Sequence, residues 1–214
     1  REVSGGSAAN TIAGIAALGG RTAYVGKVKD GQLGAIFAHD LRAQGAKYST
    51  PPAPSGHAAE TGRCMVMVSP DGERSMSTYL GVSEFLAPDD IDEADMAAAE
   101  WIFLEGYRFD GPDSIAAFEK AIRATRAAGG RVAVTLSDPF CVERHRDEFL
   151  RMIAADVDLL VANEHELASL YQTPDLEAAM ARAAAEVPIT ACTVGGKSVL
   201  EGEAILMVPR LAKA

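Results

Sequence analysis

Four short apolar segments in the second half of the chain each lie next to a helical pattern, and this alternation constrains the fold more than any other feature. The apolar segments are Trp101–Glu105, Arg131–Leu136, Leu159–Ala162 and Ile189–Thr193. Helical periodicity appears at Asp113–Ala128, Val142–Ala155, Glu164–Tyr171 and Leu176–Ala185. Apolar strands that alternate with helices are typical of a parallel sheet covered by helices. The sequence therefore predicts a three-layer α/β/α domain with a mostly parallel central sheet.

The first half of the chain begins with a similar rhythm and then departs from it. The periodicity predicts a helix at Ala8–Leu18, a strand at Thr22–Val28 and a helix at Leu33–Ala43. Gly62–Val68 and Glu73–Leu80 then flank Pro70-Asp71-Gly72, which favours a β-hairpin over residues 60–81. A hairpin does not join a parallel sheet easily. It fits equally well as a lid or small second sheet over the strand ends, or as an antiparallel extension of the sheet edge.

The two ends of the sequence bear on how much of the domain it contains. Arg1-Glu2-Val3 leads directly into a glycine-rich turn, and Leu206–Ala214 stops where another strand or helix is expected. We expect residues 1–214 to form one domain that is incomplete at both ends.

Composition narrows the possible environment and partners. The formal net charge of −10 argues against a nucleic-acid surface, but backbone N–H groups and a divalent cation could still hold ATP. The sequence shows neither a run of 18 apolar residues nor a basic-then-apolar leader. We therefore expect a cytoplasmic protein that does not insert into a membrane. Cys64, Cys141 and Cys192 lack metal-binding spacing and are expected to be reduced, buried thiols.

The first candidate binding segment is the glycine pair that opens the first helix. Gly5 and Gly6 allow close approach to the backbone, and the free N–H groups of the first helical turn favour oxygen-rich ligands. Asn10 follows Ser7 by three residues and offers both a donor and an acceptor, which suits a sugar diol. The alternative is an ordinary helix start, in which Ser7 is the N-cap.

A second candidate follows the strand at Leu159–Ala162. Asn163 and Glu166 stand three residues apart, and one carboxylate holding a hydrated Mg²⁺ beside a phosphate is chemically reasonable. The same spacing is that of a capping box, which needs no ligand.

A third segment, residues 191–198, matches the loose pattern of a phosphate-binding P-loop. A P-loop requires a following helix, whereas Val199–Val208 is apolar and turn-punctuated, so we expect a hairpin there instead. Thr193 and Gly195, at the end of the last predicted strand, could contact a nucleotide through a hydroxyl and the backbone.

The fourth segment is Leu136-Ser137-Asp138-Pro139-Phe140. Pro139 ends a core strand, and the ring of Phe140 could stack on a flat base or, alternatively, anchor the next helix in the core. The mixed charge run at residues 144–148 is interpreted as a solvated helix face.

Taken together and in this order, these segments resemble the ribokinase-like (PfkB) kinases. The resemblance covers nearly the whole chain, and Gly-Gly-Ser-x-x-Asn with Leu-Ser-x-Pro-Phe is most similar to the adenosine kinase branch. It implies a Mg-ATP-dependent kinase that phosphorylates a nucleoside or a sugar and is a monomer or a homodimer.

The resemblance also implies residue roles. Gly5, Gly6, Ser7 and Asn10 would hold the ribose hydroxyls, with Phe140 and Cys64 near the base. Asn163 and Glu166 would organise Mg²⁺ and the ATP phosphates, with Glu166 as the metal-associated carboxylate, and Thr193 and Gly195 would lie along the nucleotide. The catalytic Asp of the family belongs to a Gly-Ala-Gly-Asp motif, which this sequence does not contain. The turn after Thr193 is irregular relative to the family, which leaves the ATP contacts there open.

Overall fold

A computed structural model describes residues 2–194 and 204–208, and the chain divides into two compact units. The first unit comprises residues 1–91 and 111–117, and the second comprises residues 92–110 and 118–214. The helices and strands of each unit follow from its own sequence pattern.

The second unit contains a five-stranded sheet in sequential order. Its strands are β5 (Trp101–Glu105), β6 (Arg131–Thr135), β7 (Leu159–Asn163), β8 (Ile189–Val194) and β9 (Ala204–Val208). The first four strands are parallel, and β9 pairs antiparallel with β8. The predicted α/β class and mostly parallel sheet are confirmed. The antiparallel β9 also agrees with a hairpin, rather than a P-loop, after β8.

Five helices among the described residues belong wholly or mainly to this unit. They are α3 (Glu93–Ala97), α4 (Ser114–Ala127), α5 (Pro139–Asp156), α6 (Glu164–Tyr171) and α7 (Leu176–Glu186). Short acidic or amide side chains cap several of them: Asp138 accepts the amide of Cys141 at 2.8 Å, and Asp175 accepts the amide of Glu177 at 3.0 Å. These caps satisfy N–H groups that have no partner within the helix, which explains where α5 and α7 begin.

The core of the second unit consists of apolar side chains from the strands and from the helices beside them. Val132, Val134 and Leu160 from the sheet, and Phe149 and Leu167 from the helices, are fully buried. Burying side chains of this size is the main favourable contribution to folding.

The first unit contains two small sheets. Its elements are α1 (Ser7–Ala17), β1 (Ala23–Tyr24), α2 (Gln32–Ala43), β2 (Lys47–Tyr48), β3 (Arg63–Val68) and β4 (Arg74–Tyr79), followed by 3₁₀ turns at Gly81–Phe85 and Pro88–Asp90. β1 and β2 pair in parallel. The rings of Tyr24, Phe37 and Tyr48 pack against one another, edge to face or tilted.

The predicted strand at Thr22–Val28 is shorter than expected. It forms a ladder only at Ala23–Tyr24, and beyond it the hydroxyl of Tyr48 donates to the carbonyl of Gly26 at 2.9 Å. Pairing resumes at a single bridge between Lys29 and Ala53.

The predicted hairpin forms as β3 and β4. The two strands pair antiparallel with each other in a sheet of their own, so the alternative of an extension to the main sheet is wrong among the described strands. Gly72 takes a φ of 86° in the connecting turn, where Ser69 donates to the carboxylate of Asp71. Every residue of both strands is exposed.

None of the helices in the described part of the chain is long and apolar enough to cross a membrane.

Candidate functional site

The carboxyl ends of the parallel strands β5 to β8 meet at one edge of the sheet. Ligands in open α/β sheets bind outside this edge. Glu105 lies opposite Thr135 in the register, and Asn163 lies opposite Thr193. The sheet therefore places Asn163 and Thr193, two of the predicted nucleotide-binding residues, side by side.

Asn163 and Glu166 form the reciprocal cap of α6. Asn163 Oδ1 accepts the amides of His165 and Glu166, each at 2.9 Å, and Glu166 Oε2 accepts the amide of Asn163 at 2.9 Å. Asn163 Nδ2 also donates to Glu166 Oε1 at 2.8 Å. The capping-box interpretation is thus confirmed, and it fixes the carboxylate at the carboxyl edge. Each carboxylate oxygen retains a second lone-pair site that could accept from water.

Glu166 is unusual because only 5% of the residue is exposed. Burial raises the pKa of its carboxyl group, and the negative charge of Asp138 acts in the same direction, whereas the amide of Asn163 lowers it. A buried carboxylate that is held by hydrogen bonds at a ligand-bearing edge has the character of a functional group.

Of the two remaining residues predicted to contact the nucleotide, Thr193 lies within the described residues and Gly195 does not. Thr193 is exposed near the end of β8, where its hydroxyl is accessible.

Phe140 also stands at this edge, as the second residue of α5. Its exposed fraction is 71%, so the alternative of a core anchor is wrong. Cys141 and Val142, directly after it, are fully buried and anchor the helix instead. The ring is therefore available for contact with a flat ligand.

A strained turn connects β6 to this helix. Ser137 has a φ of 74°, and the amide of Asp138 donates to the carbonyl of Leu136 at 3.0 Å. This is a γ-turn with a positive central φ, which is rare for a residue other than glycine. Backbone strain of this kind tends to occur at functional sites.

Tyr107 is the residue at this edge that the sequence interpretation missed. Its hydroxyl donates to the carbonyl of Ser137 at 3.1 Å, and its amide donates to Ser137 Oγ at 3.3 Å. Burial, assisted by the nearby carboxylates of Asp138 and Glu166, raises the pKa of Tyr107 to about 12. The phenol therefore stays protonated and can act as a donor. Nothing in the sequence near residue 107 indicated this pairing.

The charge run at residues 144–148 is not only a solvated helix face, as the sequence suggested. Arg144 donates twice to Asp110, at 2.6 and 3.1 Å, and His145 Nε2 lies 2.6 Å from the same carboxylate. Arg146 donates to the carbonyl of Leu170 at 2.7 Å. The backbone of His145 is non-helical, so α5 is kinked where these contacts are made.

In the first unit, the four predicted ribose-binding residues come together at the start of α1. Gly6, with a φ of 118°, occupies the N-cap position, and no side chain caps the helix. The alternative in which Ser7 is the cap is therefore wrong, since Ser7 is the first helical residue. A Cβ built on Gly5 would lie 3.9 Å from Asn10 Oδ1, so the Asn10 side chain reaches back along the glycine pair. The arrangement leaves backbone and side-chain polar groups at an exposed helix start.

Ser4 fixes the segment that leads into this helix. Its hydroxyl donates to Asp40 Oδ2 at 2.6 Å, and this hydrogen bond lowers the pKa of Asp40. The glycine pair is therefore held between α1 and a contact to α2.

Cys64 lies on β3 and is exposed, unlike the buried Cys141 and Cys192. The expectation that all three thiols are buried is wrong for Cys64, because the hairpin that carries it has no covered face. The hydroxyl of Thr78, its partner across the hairpin, lies 3.2 Å from the sulfur.

No group of three or more His, Cys, Asp or Glu side chains within the described residues could hold a metal ion. Mg²⁺ in nucleotide sites is commonly bound through one or two carboxylates, waters and substrate phosphates. A lone carboxylate such as Glu166 fits that kind of site better than a metal cage made only of protein ligands.

A family model and several known proteins match this chain. The family described as pfkB family carbohydrate kinase matches residues 1–210. An ATP-dependent ribose-1-phosphate kinase from Halopiger xanaduensis is 34% identical over 173 residues, which are 80% of this chain and 54% of that protein.

Two solved structures are similar over nearly the whole chain. The adenosine kinase from Sinorhizobium meliloti has 43% identity and a TM-score of 0.91, covering 99% of this chain and 62% of its own. A probable sugar kinase protein from Rhizobium etli has 44% identity and a TM-score of 0.87, covering 96% and 61%. This chain thus spans about three fifths or less of each of these three proteins.

Proposed function

The chain belongs to the pfkB family of carbohydrate kinases, and on that premise we propose that the full-length protein is a Mg-ATP-dependent kinase acting on a nucleoside. The reaction transfers the γ-phosphoryl group of ATP to the ribose 5′-hydroxyl, with adenosine as the acceptor and AMP as the product.

The exposed ring of Phe140 is the observation that carries the choice of a nucleoside. A sugar alone offers hydroxyl groups, whereas a nucleoside adds a flat base that an exposed aromatic ring can stack on. Phe140 stands at the ligand-bearing edge with 71% of its surface exposed, although its helix has a buried face. An aromatic ring in this position leaves apolar surface in contact with water, which is unfavourable. A base stacked on the ring would cover that surface.

The acceptor and the nucleotide use different groups in this proposal. Gly5, Gly6, Ser7 and Asn10 bind the ribose hydroxyls, and Cys64 lies near the base. Asn163, Glu166, Thr193 and Gly195 bind ATP.

Bound Mg²⁺ would supply positive charge that neutralises the phosphates. Glu166 would be the carboxylate that holds the hydrated ion, and the hydrogen bonds that it accepts from Asn163 already fix its orientation. The base that accepts the proton of the 5′-hydroxyl is the Asp of a Gly-Ala-Gly-Asp motif, which the family resemblance implies and this sequence does not contain.

The test is a panel of acceptors assayed with the full-length protein and Mg-ATP. Adenosine, other nucleosides, ribose, ribose 1-phosphate and fructose are compared by kcat/KM, and Phe140→Ala is assayed beside wild type. We expect the highest kcat/KM for adenosine and a loss of about 10-fold or more in Phe140→Ala, a loss of stacking worth about 1–3 kcal/mol. Absence of AMP formation by wild type would refute the proposal.

A sugar kinase is the second candidate, because the relatives include a ribose-1-phosphate kinase and a probable sugar kinase. It predicts that a sugar or sugar phosphate has the highest kcat/KM and that Phe140→Ala has little effect. Binding of acceptor without turnover of any would instead indicate a non-catalytic relative.

A further inference from the structure

The γ-turn at Ser137 requires support from its surroundings. A residue other than glycine at a φ of 74° is strained, and such a conformation persists only where neighbouring contacts enforce it. In this chain the turn separates the last residue of a buried strand, Leu136, from the cap of α5, Asp138.

Tyr107 supplies contacts on both sides of the strained residue. Its amide donates to the side chain of Ser137, and its hydroxyl donates to the carbonyl of Ser137. Thr135 contributes a further contact, since its hydroxyl oxygen accepts the amide of Ser137 at 3.3 Å. Two of the three contacts therefore come from one tyrosine, which lies in the 3₁₀ turn Gly106–Asp110 directly after β5.

The segment that carries Tyr107 is itself fixed against the turn. The thiol of Cys141 donates to the carbonyl of Gly106 at 3.0 Å in a buried position. A Cβ on Gly106 would lie 2.6 Å from the carbonyl oxygen of Leu136, so only glycine allows this approach. Gly106 and Tyr107 thus form a fixed brace across the end of β6.

The position of Phe140 depends on this brace. Phe140 lies three residues after Ser137, in the first turn of a helix whose start is set by Asp138. Because 71% of Phe140 is exposed, core packing contributes little to the direction of its ring, and the backbone conformation at its position sets where the side chain leaves the helix.

We propose that Tyr107 and Ser137 are positioning residues, whose mutual hydrogen bonds hold the γ-turn and thereby aim the ring of Phe140 at the acceptor. The proposal rests on the proposed function only for the role given to Phe140. Its structural part, the control of the Phe140 ring by Tyr107, does not depend on the enzymatic activity and can be tested without it.

The test uses the full-length protein with para-fluorophenylalanine incorporated at position 140. Tyr107→Phe removes the hydroxyl donor and keeps the ring and the amide. Tyr171→Phe is the matched control, since it removes a tyrosine hydroxyl that donates to Glu186 at 3.0 Å, away from the turn. Fluorine NMR of residue 140, the KM values for acceptor and for ATP, and the thermal midpoint are measured for each variant.

We expect Tyr107→Phe to change the fluorine shift or linewidth and to raise the acceptor KM about 3- to 10-fold, the effect of losing one hydrogen bond. The KM for ATP should change by less than about 2-fold, because substitutions act independently on groups with which they share no partner. Tyr171→Phe should lower the thermal midpoint and leave the fluorine signal and both KM values unchanged.

Ser137→Gly separates positioning from stability. Glycine adopts a positive φ without strain, so the fold is retained, but the turn loses the side chain that Tyr107 contacts. We expect a raised acceptor KM and an altered fluorine signal without a fall in the thermal midpoint as large as that of Tyr171→Phe.

Two outcomes overturn the proposal: a fluorine signal unchanged in Tyr107→Phe, or an acceptor KM that follows the thermal midpoint across all three variants. If wild type phosphorylates no acceptor, the proposed function fails, and the fluorine signal alone still decides whether Tyr107 positions the ring.

Discussion

Asn163 and Glu166 each accept the other's backbone amide at 2.9 Å, and this exchange places a buried carboxylate at the end of a parallel strand. The contact serves the helix, because it satisfies N–H groups that would otherwise be unpaired. It also holds the carboxylate in one orientation. We therefore expect substitutions at this pair to affect both stability and the proposed activity.

The first prediction concerns Glu166→Gln. Burial raises the pKa of Glu166 above its ordinary value of 4.5, so the folded state binds a proton more tightly than the unfolded chain does. The free energy of unfolding contributed by this group therefore falls as pH rises through the two pKa values. Because glutamine does not titrate, the stability of wild type relative to Glu166→Gln should decline as pH rises through and above the ordinary value of 4.5. Urea unfolding across this range measures it.

Glu119→Gln is the control for this experiment, since Glu119 is exposed on α4. Its stability difference from wild type is measured over the same pH range as the reference. A difference for Glu166→Gln that changes with pH no more than this reference would contradict the raised pKa.

The second prediction concerns Asp110→Asn. Hydrogen bonds from Arg144, and secondarily from His145, lower the pKa of Asp110 below its ordinary value of 3.8. The stabilisation is therefore complete above about pH 4 and is lost as pH falls through the lowered pKa. The side chain is about one third exposed, so we expect a loss of only about 0.5–1.5 kcal/mol at pH 7 and none at low pH.

Asp147→Asn, on the same helix as Arg144, is the matched control. Its carboxylate is 81% exposed and lies 4.0 Å from Arg146. Chemical denaturation at pH 7 should show almost no change for this variant. Equal effects of the two substitutions would mean that the Arg144 contact does not stabilise the fold.

The third prediction compares two ion pairs of the first unit. Lys27 and Asp90 are 2.7 Å apart with side chains only 19% and 8% exposed, whereas Glu60, the partner of Lys29, is 56% exposed. Asp90→Asn leaves a largely buried ammonium group without its charge partner, and we expect a loss of about 2–3 kcal/mol. Glu60→Gln should cost clearly less, because solvent screens an exposed pair. Similar losses in the free energy of unfolding would show that burial does not determine how much each ion pair stabilises the fold.

The fourth prediction concerns thiol reactivity. Cys64 is exposed, while Cys141 and Cys192 are buried, and burial raises the pKa of the Cys141 thiol to about 12 and that of Cys192 to about 11. Thiolate is the reactive form, so both buried groups should be inert in the native state. Among the three cysteines of this chain, a disulfide reagent should modify Cys64 alone until the protein is denatured. Cys64→Ser should abolish the native reaction, and rapid modification of that variant would contradict the structure.

The strands of the main sheet were predictable because their signal is local. The predicted segments at residues 101–105, 131–136, 159–162 and 189–193 differ from β5 to β8 by no more than one residue at either end. Each is an apolar run bounded by a helix pattern, so burial and periodicity indicate the same element. The capping box at Asn163 was also local, since its two side chains are three residues apart.

The features that the sequence did not show depend on residues far apart in the chain. Tyr107 meets Ser137 across 30 positions, and Asp110 meets Arg144 across 34. The strand predicted at Thr22–Val28 ends after Tyr24, and the carbonyl of Gly26 beyond it accepts from the hydroxyl of Tyr48, 22 positions away. Hydrophobic periodicity depends only on residues that are close in the sequence. It therefore could not indicate any of these three contacts.

The last prediction compares two glycines that the sequence does not distinguish. At Gly106 an added Cβ would lie 2.6 Å from the carbonyl oxygen of Leu136 and 2.8 Å from the ring of Phe149. At Gly14, inside α1, nothing lies within 4 Å. Gly106→Ala should therefore lower the free energy of unfolding by about 1–3 kcal/mol through overpacking. Gly14→Ala should raise it by about 0.5–1 kcal/mol, because alanine is the better helix former. Chemical denaturation of both variants beside wild type measures the difference, and a Gly106→Ala protein as stable as wild type would show that the brace at the end of β6 can shift without cost.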